Sequence, residues 1–367
     1  MKKSTAFFDA HFKGDHVAFE GHRVRRNPSI ELFRVFLMFG IVLLHVGRFG
    51  ENATCFPSNI CFMCVPGFMI VSGYFGIKFK LSKVVRLYAT AAACVGILYV
   101  AKLIICPEVQ SQLSYGHWWF LHAYVIVMAF APLIDMVLQG RTPRQIAVAL
   151  VSLFMVVYLW GGALNYNHLR QWLPEPRGVH AYSFLTLLGV YILGRLIALF
   201  DVEKKVSIAT ALCWTVVLLA WTGVSRFYFI GYNNIICQLQ AVFLFILFAK
   251  IKVGERIARI VSFAAPSTFA IYLIHYVIPV RDLGFEPCAF LIRMVKWCDV
   301  FDGCCRSLVL VGVALMVFAI SFMMDLPRRL LVDMGMGIFC KVNMIIDSCY
   351  EKLVTCLFRQ TKRLINI

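Results

Sequence analysis

The strongest constraint on this chain is the recurrence of apolar runs long enough to cross a bilayer. They fall near 30–47, 58–77, 86–106, 118–138, 145–163, 180–200, 206–223, 233–250, 260–280 and 306–325. A spanning helix takes about 20 apolar residues, so ten such runs use up most of 367 residues and leave no room for a large soluble domain. With 61% hydrophobic and 15% charged residues, the chain has too little polar surface to coat a water-soluble globule. The same figures exclude a disordered chain and a small disulfide scaffold. The expected fold class is all-α, a polytopic membrane bundle of about ten transmembrane helices with both termini cytoplasmic.

The net charge of +17 could suggest nucleic acid, but the distribution of the cations points to a membrane. With the N-terminus inside, 26 of the 36 Lys and Arg residues fall on inner segments and eight on outer ones, as the positive-inside rule requires. The segment 1–29 reads as a basic cytoplasmic arm, carrying Lys2, Lys3, Lys13, Arg23, Arg25 and Arg26. No small-residue cleavage site follows the first apolar run, so it is expected to remain as the first span. Residues 30–325 form the transmembrane domain. In the tail, 326–367, Ile338, Val342, Ile345, Cys349, Leu353 and Cys356 recur at steps of three and four with cations around them, the pattern of an amphipathic helix on the inner membrane surface. Anionic lipid headgroups are its expected contact.

Of the 14 cysteines, seven lie within spans or inside, where they act as small hydrophobes. Cys55, Cys61, Cys64, Cys288, Cys298, Cys304 and Cys305 fall on the outer side, where an oxidising compartment permits bridges; spacing does not choose among pairings. No second CxxC or histidine stands at ligand spacing, so no metal site is expected.

Ionisable side chains inside spans are costly and therefore informative. In the first span, IELFRVFLMFGIVLLHVG, Glu31, Arg34 and His45 share one face. Arg34 and His45 are eleven residues apart, about 16 Å along the axis. A histidine near the outer end is the side chain best suited to moving a proton at neutral pH. The alternative for Glu31 and Arg34 is an ion pair at the inner headgroup boundary. In the second span, PGFMIVSGYFGIKF, Ser72 and Gly73 permit either a cavity wall or a close helix crossing. Lys83 and Arg86 follow, as a phosphate-binding cluster or as ordinary inside charge. In the fourth, His117 and His122 bracket Trp118 and Trp119 on the side of His45 and could line an acceptor site, although the tryptophans also suit an aromatic belt. In the ninth, Tyr272 and His275 face one way, for reaction or for helix packing.

In order and spacing these elements resemble the acyltransferase-3 family of multi-span enzymes that acylate cell-surface sugars. Arg34 and His45 match its Arg-x10-His signature. IVSGYF at 70–75, Lys83 and Arg86, WWFLHAYVIV with Pro132, LGVYILGR at 188–195 and YLIH at 272–275 follow in the family's order. Two departures stand out: GFMIVSG is less Phe-rich than the family segment, and no hydrolase-like soluble domain is appended.

The resemblance implies a bacterial cytoplasmic membrane protein that moves an acyl group, acetyl foremost, from acyl-CoA inside to a hydroxyl of a surface or lipid-linked glycan. His45 would be the catalytic base. Arg34 and Arg86, with Lys83, Ser72 and Gly73, would hold the cofactor. Glu31, His117, Trp118, His122, Tyr272 and His275 would serve the acceptor. Acyl-CoA, a glycan acceptor and membrane lipid are thus the expected partners, with neither metal nor nucleic acid. Two other classes fit ten spans with buried polar groups: a transporter or flippase, disfavoured by the absence of a convincing internal repeat, and a membrane scaffold or sensor without chemistry.

Overall fold

The computed structural model describes residues 27–48, 59–105, 118–138, 140–155, 184–224, 232, 234–278, 289–298, 300–301, 303–334 and 336–365. Every regular element among them is helical. Five helices are long and apolar enough to cross a membrane: Pro28–Gly47, Leu81–Ile105, Trp119–Leu138, Glu255–Ile274 and Cys304–Val332. Five more apolar helices are shorter, Ile60–Phe75, Pro143–Met155, Phe184–Leu199, Ile208–Thr222 and Ile235–Lys250. Each expected span overlaps an apolar helix among the described residues, and five of these helices are long enough to cross a membrane. The chain folds as a helical membrane protein.

The first helix, α1 (Pro28–Arg48), is the hub. Pro28 takes the first helical position, where its missing N–H costs nothing. The Asn27 side-chain oxygen accepts from Ser29 N at 3.0 Å, and Glu31 places negative charge in the first turn. Within its apolar stretch 67% is buried inside the protein, against 22–28% for the spans at Leu81–Ile105, Trp119–Leu138 and Cys304–Val332. The core of the bundle is therefore built around α1, and these three spans present apolar surface outward.

A 3₁₀ turn at Ile60–Met63 leads into α2 (Cys64–Phe75). There follow α3 (Leu81–Ile105), α4 (Trp119–Leu138), α5 (Pro143–Met155) and α6 (Phe184–Leu199). The closest crossing joins α2 and α6. A Cβ on Gly194 would stand 2.5 Å from Ile70 O and 3.0 Å from Gly73 Cα, so the two backbones touch only because both positions lack side chains. Around this contact Tyr191 Oη accepts from Ile77 N at 3.2 Å. Arg195 Nε lies 2.8 Å from Asp135 Oδ1 on α4, and Arg195 Nη1 donates to Gly73 O at 3.4 Å. The LGVYILGR segment is thus a packing device joining three helices.

A short helix α7 (Val202–Lys205) precedes α8 (Ile208–Val224) and α9 (Ile235–Lys250). Then α10 (Glu255–Ala264) continues through a 3₁₀ turn containing Pro266 into α11 (Thr268–Ile274). α12 (Ala289–Cys298) and α13 (Gly303–Met334) follow. α13 runs nine residues beyond the expected end of the last span and passes through Pro327. Beside this proline, Arg328 Nε and Nη2 donate to the fully buried Asp325 carboxylate at 2.5 and 2.9 Å. That pairing gives the carboxylate the compensation it needs.

The tail folds as α14 (Met336–Ile365). Val342, Ile345, Cys349, Leu353 and Cys356 are exposed along it. Another face docks on the start of α3, where Asp347 Oδ1 accepts from Ser82 N at 2.9 Å and Oδ2 from Ser82 Oγ at 2.7 Å. Among the described outer cysteines, Cys61, Cys64, Cys298, Cys304 and Cys305 form no disulfide with one another. Cys61 and Cys64 are instead buried against Gly40 of α1, where packing and not a bridge holds them. Cys55 and Cys288 lie outside the described residues.

Candidate active site

The inward-turned face of α1 opens on a cavity of about 240 Å³ lined by both Arg34 and His45. Helical periodicity explains the pairing, since Met38 and Ile41 between them line the same space. The remaining wall is largely aromatic and apolar: Val65, Phe68 and Ser72 from α2, Leu87 from α3, and Trp119, Phe120 and Tyr124 from α4. Leu121, Tyr232, Thr268, Phe269 and Tyr272 complete it. An apolar hollow with few converging polar groups is the usual form of a small-molecule site.

At the N-terminal end of the cavity, Arg34 Nη1 donates to Glu31 Oε1 at 3.0 Å. Glu31 is buried and the guanidinium about one-third exposed. Glu31 thus holds Arg34 in an ion pair while Arg34 still lines the cavity. Ser72 lines the wall while donating to Phe68 O at 2.9 Å within its own helix, which leaves its oxygen as an acceptor.

Toward the other end, His45 Nδ1 lies 2.7 Å from His275 Nε2, and His275 Nδ1 lies 2.9 Å from Ile271 O. The two rings are separated by 5.0 Å between centroids at 15°, and Tyr276 meets His45 edge-on at 5.1 Å. His275 is buried behind His45 and is not part of the cavity wall. Tyr272 lines the wall, and its hydroxyl accepts from Phe120 N at 3.2 Å, tying α11 to α4.

Other expected site residues lie elsewhere. Gly73 is in the α2–α6 crossing. Trp118 is buried with its indole N–H on Leu273 O at 3.3 Å. The neighbouring Trp119 takes the cavity position instead, because one residue along a helix turns the side chain by about 100°. It stacks on Tyr232, centroids 5.4 Å apart. His122 is exposed and paired with Tyr88 Oη at 3.1 Å. His117 lies outside the described residues. Neither Lys83 nor Arg86 lines the cavity; Lys83 donates to Lys78 O at 3.0 Å and Arg86 is exposed. Lys83 does stand one turn before the lining residue Leu87 on the same face of α3. Among the described residues no three His, Cys, Asp or Glu side chains are grouped to hold a metal ion.

Sequence reasoning passed over Tyr232, Tyr124 and Tyr276, which carry no signal against the aromatic background. It counted Arg195 only among the inside charges and gave Asp135 no role, so their pairing was not foreseen.

The described helices thus form a membrane bundle in which a cationic and an imidazole group face one hollow, the arrangement of a candidate membrane-embedded site. The model of the acyltransferase domain, acyltransferase-3, matches residues 27–287, and the chain belongs to that family. The match takes in α1 to α11 and every cavity residue named above. No curated protein and no solved structure matches the chain.

Proposed function

We propose that this acyltransferase moves an acyl group, acetyl foremost, from acyl-CoA on the cytoplasmic side to a hydroxyl of a surface or lipid-linked glycan. The observation that carries this reading is that Arg34 and His45 line one cavity from a single helix face, about 16 Å apart along the axis. That offset suits a donor with an anionic head and a long, uncharged arm ending in a thioester. Arg34, held by Glu31, would neutralise phosphate at the inner mouth, with Lys83 and Arg86 adding positive charge from the start of α3. The arm would lie along the apolar wall from Met38 to Ile41. Trp119 and Tyr232 would offer a flat aromatic platform to a sugar ring.

His45 would take the hydroxyl proton of the acceptor as its oxygen attacks the thioester carbonyl. The C–S bond then breaks and the proton passes to the leaving thiolate, so the products are an ester and free thiol. A positioned base typically contributes 10²- to 10⁴-fold. With this reading go a bacterial cytoplasmic membrane, both termini inside, and α14 lying on the inner surface.

The test uses the purified full chain in lipid nanodiscs with radiolabelled acetyl-CoA and a glycan extract. His45→Ala should abolish transfer while donor binding persists. Full activity in that variant would refute the base role, and solute flux without any acyl donor would favour a transporter.

A further inference from the structure

His275 was expected to touch the acceptor, yet it stands behind His45 with 1% of its surface exposed. We infer that His275 is a positioning residue that fixes the tautomer of His45 and so sets which of its nitrogens is basic. The inference rests on the acyl-transfer reading for its catalytic consequence, but its structural content stands on the hydrogen-bond chain alone.

A backbone carbonyl can only accept, so at 2.9 Å from Ile271 O the Nδ1 of His275 must carry a hydrogen. Neutral His275 then has its lone pair on Nε2. That nitrogen is 2.7 Å from His45 Nδ1, so His45 Nδ1 must be the donor. A neutral His45 with hydrogen on Nδ1 has its basic lone pair on Nε2. The chain Ile271 carbonyl, His275, His45 thus has a single direction, imposed from a helix backbone that cannot reverse it.

Ring geometry agrees. A tilt of only 15° with centroids 5.0 Å apart is the arrangement of two imidazoles meeting edge to edge through one in-plane hydrogen bond, not of face-to-face stacking. Tyr276 packs edge-on against both His45 and His275, and Tyr272 lies against His275 at 6.4 Å, so both rings are held in orientation. When His45 Nε2 takes the acceptor proton, the resulting imidazolium donates from Nδ1 to a neutral acceptor already in place. The hydrogen bond strengthens at the moment charge appears, which is how a base is favoured in the transition state over the ground state. The proton then leaves from Nε2 to the thiolate, and His275 ends as it began.

The experiment reads the tautomer directly. In the full chain labelled with ¹⁵N-histidine in nanodiscs, the His45 signals are assigned by their loss in His45→Ala and should show hydrogen on Nδ1. Hydrogen on Nε2 would overturn the inference, whatever the activity. His275→Phe, which keeps the bulk and removes the acceptor, should lower kcat about 10²-fold or more with acceptor KM changed less than about twofold. His275→Gln, which restores an accepting oxygen, should recover at least about tenfold of that loss. Equal kcat in wild type and His275→Phe would overturn the positioning role. A KM effect with kcat retained would do the same, by returning His275 to substrate binding. Absence of transfer by the wild type would refute the acyl-transfer reading separately, with the tautomer still measured.

Discussion

The α2–α6 crossing makes a prediction whose sign depends on which glycine is changed. Gly194→Ala would place a Cβ 2.5 Å from Ile70 O, 3.0 Å from Gly73 Cα and 3.0 Å from Tyr74 N. All three are backbone atoms, so no side chain can swing aside. Ordinary contact begins near 3.4 Å, so the helices must part by roughly 1 Å; overpacking of this kind costs typically 1–3 kcal/mol. Alanine returns somewhat under 1 kcal/mol through helix propensity, leaving a net loss of about 1–2 kcal/mol. Gly96 on α3 has nothing within 4 Å of its would-be Cβ, so Gly96→Ala should leave stability unchanged or raise it by up to ~1 kcal/mol. Thermal unfolding of both variants in the same nanodiscs, followed by tryptophan fluorescence, compares them; Gly194→Ala should melt a few degrees lower. Because Val65, Phe68 and Ser72 on α2 form one cavity wall, its donor affinity should fall as well, although Gly194 is not in that wall. Equal melting temperatures for the two variants would refute the claim that the crossing is backbone-limited.

Other expectations follow from single contacts. Arg195→Leu leaves Asp135, four-fifths buried, without its cation and should destabilise by about 3 kcal/mol; adding Asp135→Leu should recover much of it in the same thermal assay. Arg34→Gln should raise the acyl-CoA KM by at least about tenfold, a charge-assisted contact being worth ~1.5–3 kcal/mol, with a smaller effect on dephosphorylated pantetheine thioesters. Trp119→Ala should weaken acceptor use, whereas Trp118→Phe should cost about 1 kcal/mol of stability through the lost bond to Leu273 O and spare activity. Asp347→Ala removes the acceptor of both Ser82 bonds and should speed amide hydrogen exchange at the start of α3 and along α14.

The part of the site legible in the sequence was the part carried on one helix. Arg34 and His45 are conspicuous because each is expensive in an apolar run, and an offset of eleven residues is close to three turns. Their common face could therefore be read without knowing any neighbour. The tail helix and the ten apolar segments were legible for the same local reason. Trp118 and Trp119 show the limit: adjacent residues point about 100° apart, and which of them meets the cavity is decided by how α4 rotates against α11.

What stayed hidden was every pairing across the bundle. His275 was visible as an intramembrane histidine, but its partner lies 230 residues away, and nothing in the local pattern of YLIH names it. Arg195 counted only as an inside charge, and Asp135 carried no signal, until α4 and α6 were brought together. A low-dielectric interior requires each such group to find a counterpart, so the need is written locally while the address is written in the packing. That address depends on residues with no chemistry. Gly73 and Gly194 let α2 seat against α6, which sets where Ser72 and Phe68 meet the α1 face bearing Arg34 and His45. In this fold the glycines that touch no substrate decide whether the groups that would touch one share a cavity.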